Sequence, residues 1–538
     1  MALSNVAQSV RRAIDFRRRR RVPGLDQLQH VPPNLRATDP SLAIEMANGT
    51  IGLPSGLLKF GAASPFTTAL REPASARDLF AFAWFAHLDA ARTEQSEHLM
   101  RALLLDWSRN AARRSALAAE PAVMARRALS LLAHADGSLA TAAASDFDAI
   151  MDLLAEEFAD LAREVKRMPL TLARLTARIA LVAFDLAAGA DAGACVANER
   201  VLAVELKRQI LPDGGHMSRN PQAVLETALD LVALRRLYTA RQRPVPAPVT
   251  DALGRTTKML LALQMPDQSL GRFNGMGATP IGDLLSVMRQ LAPGADKPGP
   301  LHAPETGYAR LAAAGTVVLF DAGPGAETLA GEAPFAGALS FELGAGTVSI
   351  VVNCGAGFEQ PPKPSARATT AHSALGLAGT SSAPPTGARS GQVRCTLDVS
   401  SASGQTLTAA SDGYKVRNGE VHHRSLTLSA DGRRLDGIDR LEAHGQPPAT
   451  APFEIHFHLH PSVFVEPAAD RRTITLKAGD GSVWSFDSGE IIPSIESSIY
   501  HAAASGPKPS VQLVVRGLTS DTREVRWHFA RIHDAIAG

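Results

Sequence analysis

Cysteine is scarce in this 538-residue chain: Cys195, Cys354 and Cys395 are the only three, and none forms a CxxC pair. That excludes a disulfide framework and a paired-thiolate zinc module. Aromatic residues make up 5%, and the four tyrosines are Tyr238, Tyr308, Tyr414 and Tyr500, so phenolic chemistry has few places to reside. Charge of one sign is lacking too, since 55 Lys and Arg against 53 Asp and Glu leave a formal +2. Nucleic-acid binding needs a concentrated basic surface to displace counterions, and this balance argues against it. The exception is the run Arg17 to Arg21, readable as an arm for RNA, lipid head groups or an acidic glycan, or as a solvated tail. No stretch reaches the roughly 18 uncharged apolar residues of a membrane span. The N-terminal residues lack the apolar segment and small-residue cleavage site of an export signal. The expectation is a cytoplasmic protein without a membrane span.

What is present suits a globular chain, with 45% hydrophobic and 20% charged residues. At roughly 100–200 residues per domain the length allows two to four domains. Up to about Leu291 the chain is rich in Ala, Leu and Arg at helical spacing. Leu172, Leu175, Ile179, Val182 and Leu186 recur every three or four residues, the period of one helix face. Residues 293–307 are dense in Pro and Gly and read as a linker. Beyond them the period shortens to two, as in Thr316–Asp321, Phe453–Leu459 and Glu524–Ile532. Many short strands between turn signals argue an antiparallel sandwich or barrel. The predicted order is a basic tail (1–45), a helical domain (46–292), the linker, and a strand domain (308–538): an α+β multidomain chain.

Three segments carry candidate chemistry. In Asp213-Gly-Gly-His-Met-Ser-Arg-Asn-Pro221, Asn220 is a favoured N-cap and Pro221 a favoured first helical residue. The turn brings His216, Ser218, Arg219 and Asn220 to a helix start that favours an anion. The segment reads as a carboxylate or sulfate site with His216 as acid or base, or as an ordinary cap with a surface arginine. Arg367-Ala-Thr-Thr-Ala-His372-Ser places a histidine in a polar loop, as a base, a ligand or a turn-stabilising group. His456-Phe-His-Leu-His460 alternates, putting three imidazoles on one strand face. That arrangement suits a metal or a half-exposed strand, and no closing Cys, Asp or Glu stands at ligand spacing.

In order along the chain stand DGGHMSRNP (213–221), FNG (273–275), GYARL (307–311), ALSFEL (338–343), RATTAHS (367–373), DGY (412–414) and FHLHP (457–461). Together they resemble the heparinase II/III family of bacterial polysaccharide lyases, from about residue 40 onward. The resemblance implies an incomplete (α/α) toroid followed by a C-terminal antiparallel β-sandwich, with the site between them. It implies β-elimination on a uronic-acid polysaccharide, in which the carboxylate is neutralised, a base takes the adjacent proton and an acid protonates the leaving oxygen. On that reading His216, Tyr308 and His372 are catalytic, with Tyr308 the acid. Arg174, Arg219, Asn220, Asn274 and Arg367 bind substrate, Arg219 and Asn220 neutralising the carboxylate. Phe335 and Gly337 stand where many relatives carry a His-x-His-x-Asp stretch, so no metal and no other cofactor is expected. The family's Asn-His pair falls near Arg174, and its usual Glu and Tyr near Ser218 and Ala223. These losses raise a second expectation, a non-catalytic relative that binds an acidic glycan. Family members also make a periplasmic location the alternative to a cytoplasmic one.

Overall fold

The computed structural model describes residues 27–190, 192–290, 298–323, 334–357, 364–383, 391–399, 404–445, 450–469 and 471–535. The Arg17 to Arg21 run lies outside them.

The 3.6-residue pattern folds as the sequence predicts. Long helices span Glu94–Arg109, Pro121–Ala133, Ala144–Glu164, Leu172–Ala187, Ala192–Gln209, Pro221–Ala240 and Ala247–Ala262. Their starts follow local chemistry. Thr93 and Ser96 form a reciprocal capping box. Pro121 and Pro221 open their helices, where a missing N–H costs nothing. Leu175, Ile179, Val182 and Leu186 are all buried, and the helix Leu172–Ala187 packs against Pro121–Ala133, Ala192–Gln209 and Pro221–Ala240. This is the incomplete α-toroid.

Two boundaries differ from the sequence reading. The span 1–45 was expected to be a tail, yet from residue 27 onward it docks on the helices. Gln29 N–H donates to Ala187 O (2.8 Å) and Ala37 N–H to Asp283 (2.6 Å). The Arg36 guanidinium is held by Glu226 and, at 3.3 Å, Asp230. Arg36 is thus spent on a partly buried and a buried acid that only the fold brings near. The linker also ends early: Leu301–Ala303 is already a strand, and Thr306 N–H donates to Asp213 at 2.7 Å. A short hairpin, Thr50–Leu53 with Gly56–Lys59, interrupts the helical domain.

From Leu301 onward the described residues form two antiparallel sheets of nine and eight strands. Their facing sides enclose a core that includes Phe341, Phe457, Trp527 and Phe529. The strand Thr316–Asp321 is buried along its whole length because it serves two cores. Val318 and Phe320 point into the sandwich, while Val317 and Leu319 join the helical core with Met265, Leu270 and Phe273. Alternation along one strand therefore welds sandwich to toroid.

Candidate functional site

The Asp213–Pro221 loop is anchored from below by its acid. Asp213 accepts from the Gly215 N–H (3.2 Å), the Thr306 N–H and the Thr306 hydroxyl. A side chain at Gly214 would run into the Arg255 carbonyl, and one at Gly215 into Thr306, so both glycines are required by close approach.

His216 follows and is 1% exposed. Gln209 spends its NH2 on Glu205 (2.7 Å) and on the Thr171 carbonyl (3.0 Å), which leaves its oxygen facing the imidazole. His216 Nε2–H therefore donates to Gln209 Oε1 at 2.8 Å, while Nδ1 accepts from the Ser218 hydroxyl (2.8 Å) and N–H (3.0 Å). Burial lowers its pKa to about 4, so it is neutral near pH 7. Arg174 joins the same chain through Glu205, at 3.1 Å. His216 and Arg174 are thus members of one hydrogen-bonded row inside the helical domain, with both ring nitrogens already occupied.

Arg219 turns the other way because its φ is +60°. Its guanidinium is 7% exposed and pairs with Asp321, donating also to the carbonyls of Thr306 (2.7 Å) and Gly307 (3.0 Å). Burial works against its charge, and the Asp321 carboxylate more than offsets that. It lies over the Tyr308 ring, 5.2 Å from the centroid. The Tyr308 hydroxyl donates to the Arg219 carbonyl and accepts from Asn274 Nδ2 (2.9 Å), and burial pushes its pKa well above the usual range. Asn274 also approaches Asp321 at 3.4 Å. Arg219, Asn274 and Tyr308, expected to meet substrate, instead form a buried seam between the domains. The reason is Asp321, a buried acid at the end of an apolar strand that recruits the nearest cation.

The remaining candidates meet around Phe335, one of the two residues whose identity argued against a metal there. Phe335 is half-buried. Arg367 stacks on it, 4.8 Å from the ring centroid, and His372 approaches edge-on at 6.5 Å. A Cβ built on Gly275 would lie 3.1 Å from the Phe335 ring and 3.3 Å from Asn220 Nδ2, so these two groups flank that glycine. Asn220 caps its helix through Oδ1 to the Gln222 N–H (2.8 Å), leaving Nδ2 toward Gly275. His372 Nδ1–H donates to the Ala368 carbonyl at 2.8 Å, which places the lone pair on Nε2. Burial lowers its pKa to about 4. Gly337 lies against this ring, since a Cβ there would come within 3.1 Å of Nε2.

His458 holds the loop that carries His372: Nε2–H donates to the Thr370 carbonyl (2.9 Å) and Nδ1 faces the Ser498 hydroxyl (2.8 Å). His456 and His458 share a face with rings stacked at 6.0 Å, as the alternation predicts. His460 lies beyond the strand end and bonds Ser462 instead. Among the described residues no group of three or more His, Cys, Asp or Glu could hold a metal ion. Sequence reasoning missed Glu205, Gln209 and Asp321. The signal for Asp321 was an acid closing the apolar run Val317 to Phe320, which demands a partner when buried.

A helical toroid sealed to a two-sheet sandwich, with polar residues gathered where they meet, is the architecture of toroid-type polysaccharide lyases. Residues 295–528 match the family model "Heparinase II/III-like, C-terminal". The structure superposes on heparinase III with a TM-score of 0.69 at 12% identity, covering 85% of this chain and 77% of that one. It superposes on the heparan sulfate lyase HepC of Pedobacter heparinus with a TM-score of 0.59 at 13% identity, covering 92% and 83%. Residues 295–528 thus form a heparinase II/III-like C-terminal domain, and the fold of the chain is similar to that of these two solved structures. It is also 26% identical over 498 residues to FtsZ-localized protein C of Caulobacter vibrioides (strain NA1000 / CB15N), covering 86% of this chain and 82% of the relative. No helix among the described residues is long and apolar enough to cross a membrane.

Proposed function

We propose that this chain is a non-catalytic member of the heparinase II/III family that binds an acidic glycan at the patch formed by Asn220, Phe335, Arg367 and His372. The observation that carries the reading is the commitment of Arg219 and Tyr308. β-Elimination needs a cation free to neutralise the substrate carboxylate and an acid able to reach the leaving oxygen. Here the cation is neutralised by Asp321, and the phenol is buried and donates to a backbone carbonyl. What stays at the patch suits binding. Phe335 offers an apolar face to a sugar ring and Asn220 an amide donor, while Arg367 and His372, 8% and 4% exposed, lie behind Phe335 and support its ring from beneath.

The test is to incubate the protein with heparan sulfate, alginate, hyaluronan and bacterial envelope glycans, following ultraviolet absorbance and binding together. A flat absorbance trace with saturable retention of one polymer supports the proposal. A rising trace would mark the conjugated unsaturated uronate and restore elimination, with His372 Nε2 as the base.

A second reading is favoured by the FtsZ-localized relative, whose similarity runs through most of both chains. On it the chain is an assembly protein at the division site, in the cytoplasmic setting first expected. Co-sedimentation with FtsZ polymers, without retention of any glycan, would favour it over the first.

A further inference from the structure

The strand Ser494–Tyr500 ends the nine-stranded sheet and, among the described residues, pairs only with Lys508–Leu518. Edge strands are usually blunted by proline, lysine, a bulge or an inward charge, since their free N–H and C=O groups recruit other strands. Pro493 stands just ahead of it, but within Ser494–Tyr500 there is no proline or lysine, and the register runs without a shift. Its single charge, Glu496, is neutralised by Arg516. Ile495 lies opposite Leu513, which in turn lies opposite Phe457, and both of those are in the sandwich core. Ile495 and Ile499 therefore extend the core-facing side of the sheet, yet are 41% and 52% exposed. Ile492, separated from the strand by Pro493, is 54% exposed. Among the described residues the sandwich thus ends in an open apolar ladder.

We propose that this edge pairs with the same strand of a second copy, antiparallel, about a two-fold axis through Ser497. The order Ser-Ile-Glu-Ser-Ser-Ile-Tyr is self-complementary in that register. Ile495 meets Ile499 of the second copy, so apolar meets apolar on the core-facing side. Glu496 meets Ser498, so no two carboxylates face each other. An axis through Glu496 would set the two carboxylates opposite one another, and like charges directly opposite destabilise a ladder. Pairing joins the two nine-stranded sheets into one continuous sheet and covers the exposed isoleucines. A closed two-fold contact of this kind stops at the dimer.

The register gives a sharp test on the full chain. Residues on the axis face each other with Cα atoms about 4.5–5.5 Å apart, within reach of a disulfide. Ser497→Cys should yield a cross-linked dimer on mild oxidation, whereas Glu496→Cys, off the axis, should not. Sedimentation velocity from nanomolar to near-millimolar protein should show reversible dimerisation. Ile495→Lys should raise the dissociation constant about tenfold or more, with circular dichroism confirming that the variant is folded. A monomer throughout, with no cross-link in Ser497→Cys, would overturn the proposal and leave the edge for a strand of another protein. A dimer indifferent to Ile495→Lys would overturn it as well, since the contact would then lie elsewhere.

Discussion

The Arg219 guanidinium and the Asp321 carboxylate, 102 positions apart in sequence, meet inside the seam between the helical domain and the sandwich. Neither is more than 7% exposed, and the pair is surrounded by the Thr306 and Gly307 carbonyls and the Tyr308 ring. A conformation rare for a residue with a side chain, φ +60° at Arg219, turns the guanidinium toward the seam. The cation that stands just before the Asn220 helix start thus serves to join the domains.

Removing one partner of such a pair leaves an uncompensated buried charge. Asp321→Asn should therefore destabilise the protein by about 3–5 kcal/mol. Arg219→Met combined with Asp321→Leu should cost clearly less than the sum of the two single changes. Urea unfolding of Asp321→Asn and of the four proteins in the cycle measures both. A single-variant loss below about 1 kcal/mol is the behaviour of an exposed pair and would contradict the seam.

Protons give a second handle on the buried histidines. His216 titrates near pH 4 when folded and near pH 6.5 when unfolded, so between those values the unfolded chain binds a proton that the native one refuses. Its contribution to stability is complete above pH 6.5 and is lost as the pH falls toward 4. Between pH 7 and pH 5 this one group should remove about 2 kcal/mol. His216→Gln takes that titration away, so its stability should fall less over the same interval. Equal losses in variant and parent, measured by denaturant titration at the two pH values, would show that His216 is not held neutral.

Much of the fold was legible because it rests on local periodicity. The helix Leu172–Ala187 and the strands Thr316–Asp321 and Pro452–Leu459 lie where apolar spacing puts them. The start at Asn220 and Pro221 is likewise local chemistry. The hairpin Thr50–Lys59 was missed because Thr-Ile-Gly-Leu-Pro-Ser-Gly-Leu-Leu-Lys carries too few β-branched residues to stand out from its helical surroundings. Ser494–Tyr500 was missed because serine and glutamate occupy the face away from the core and dilute its alternation. The site was legible as a set of residue types and illegible as a geometry. Nothing near Arg219 in sequence reveals Asp321, and nothing near His216 before it reveals that Gln209 and Glu205 already hold its row together.

Phe335 separates binding from stability. It is half-buried, and its contacts are with the Arg367 guanidinium, the His372 ring edge and the flank of Gly275. Phe335→Ala should weaken glycan retention about tenfold, equivalent to ~1.4 kcal/mol. Phe335→Trp keeps a stacking face and should preserve more of the affinity. Retention on an immobilised polymer, compared with thermal melting of the same variants, distinguishes the two effects. If retention and melting fell together in Phe335→Ala, the ring would be a packing residue and the patch would need another centre.

The segment 27–41 offers a last prediction, because two unrelated contacts dock it at the same place. Arg36 and Arg126 together face Glu226 and Asp230, with Arg126 at 3.0 and 2.9 Å from those carboxylates. Ala37 packs its methyl against Gly282, where an added Cβ would come within 2.7 Å of it, and its N–H bonds Asp283. Arg36→Ala removes the charge and leaves two carboxylates facing one guanidinium. Gly282→Val leaves every charge in place and wedges the segment away. Both changes should raise hydrogen exchange at the Ala37 amide and at the Gln29 amide, while amides in the helix Leu172–Ala187 keep their protection. The two routes share only the docked position of the segment, so a rise in one variant alone would tie the effect to that substitution's own contacts. A rise in both, with the helix unchanged, would establish the segment as a strap that opens independently of the core it crosses.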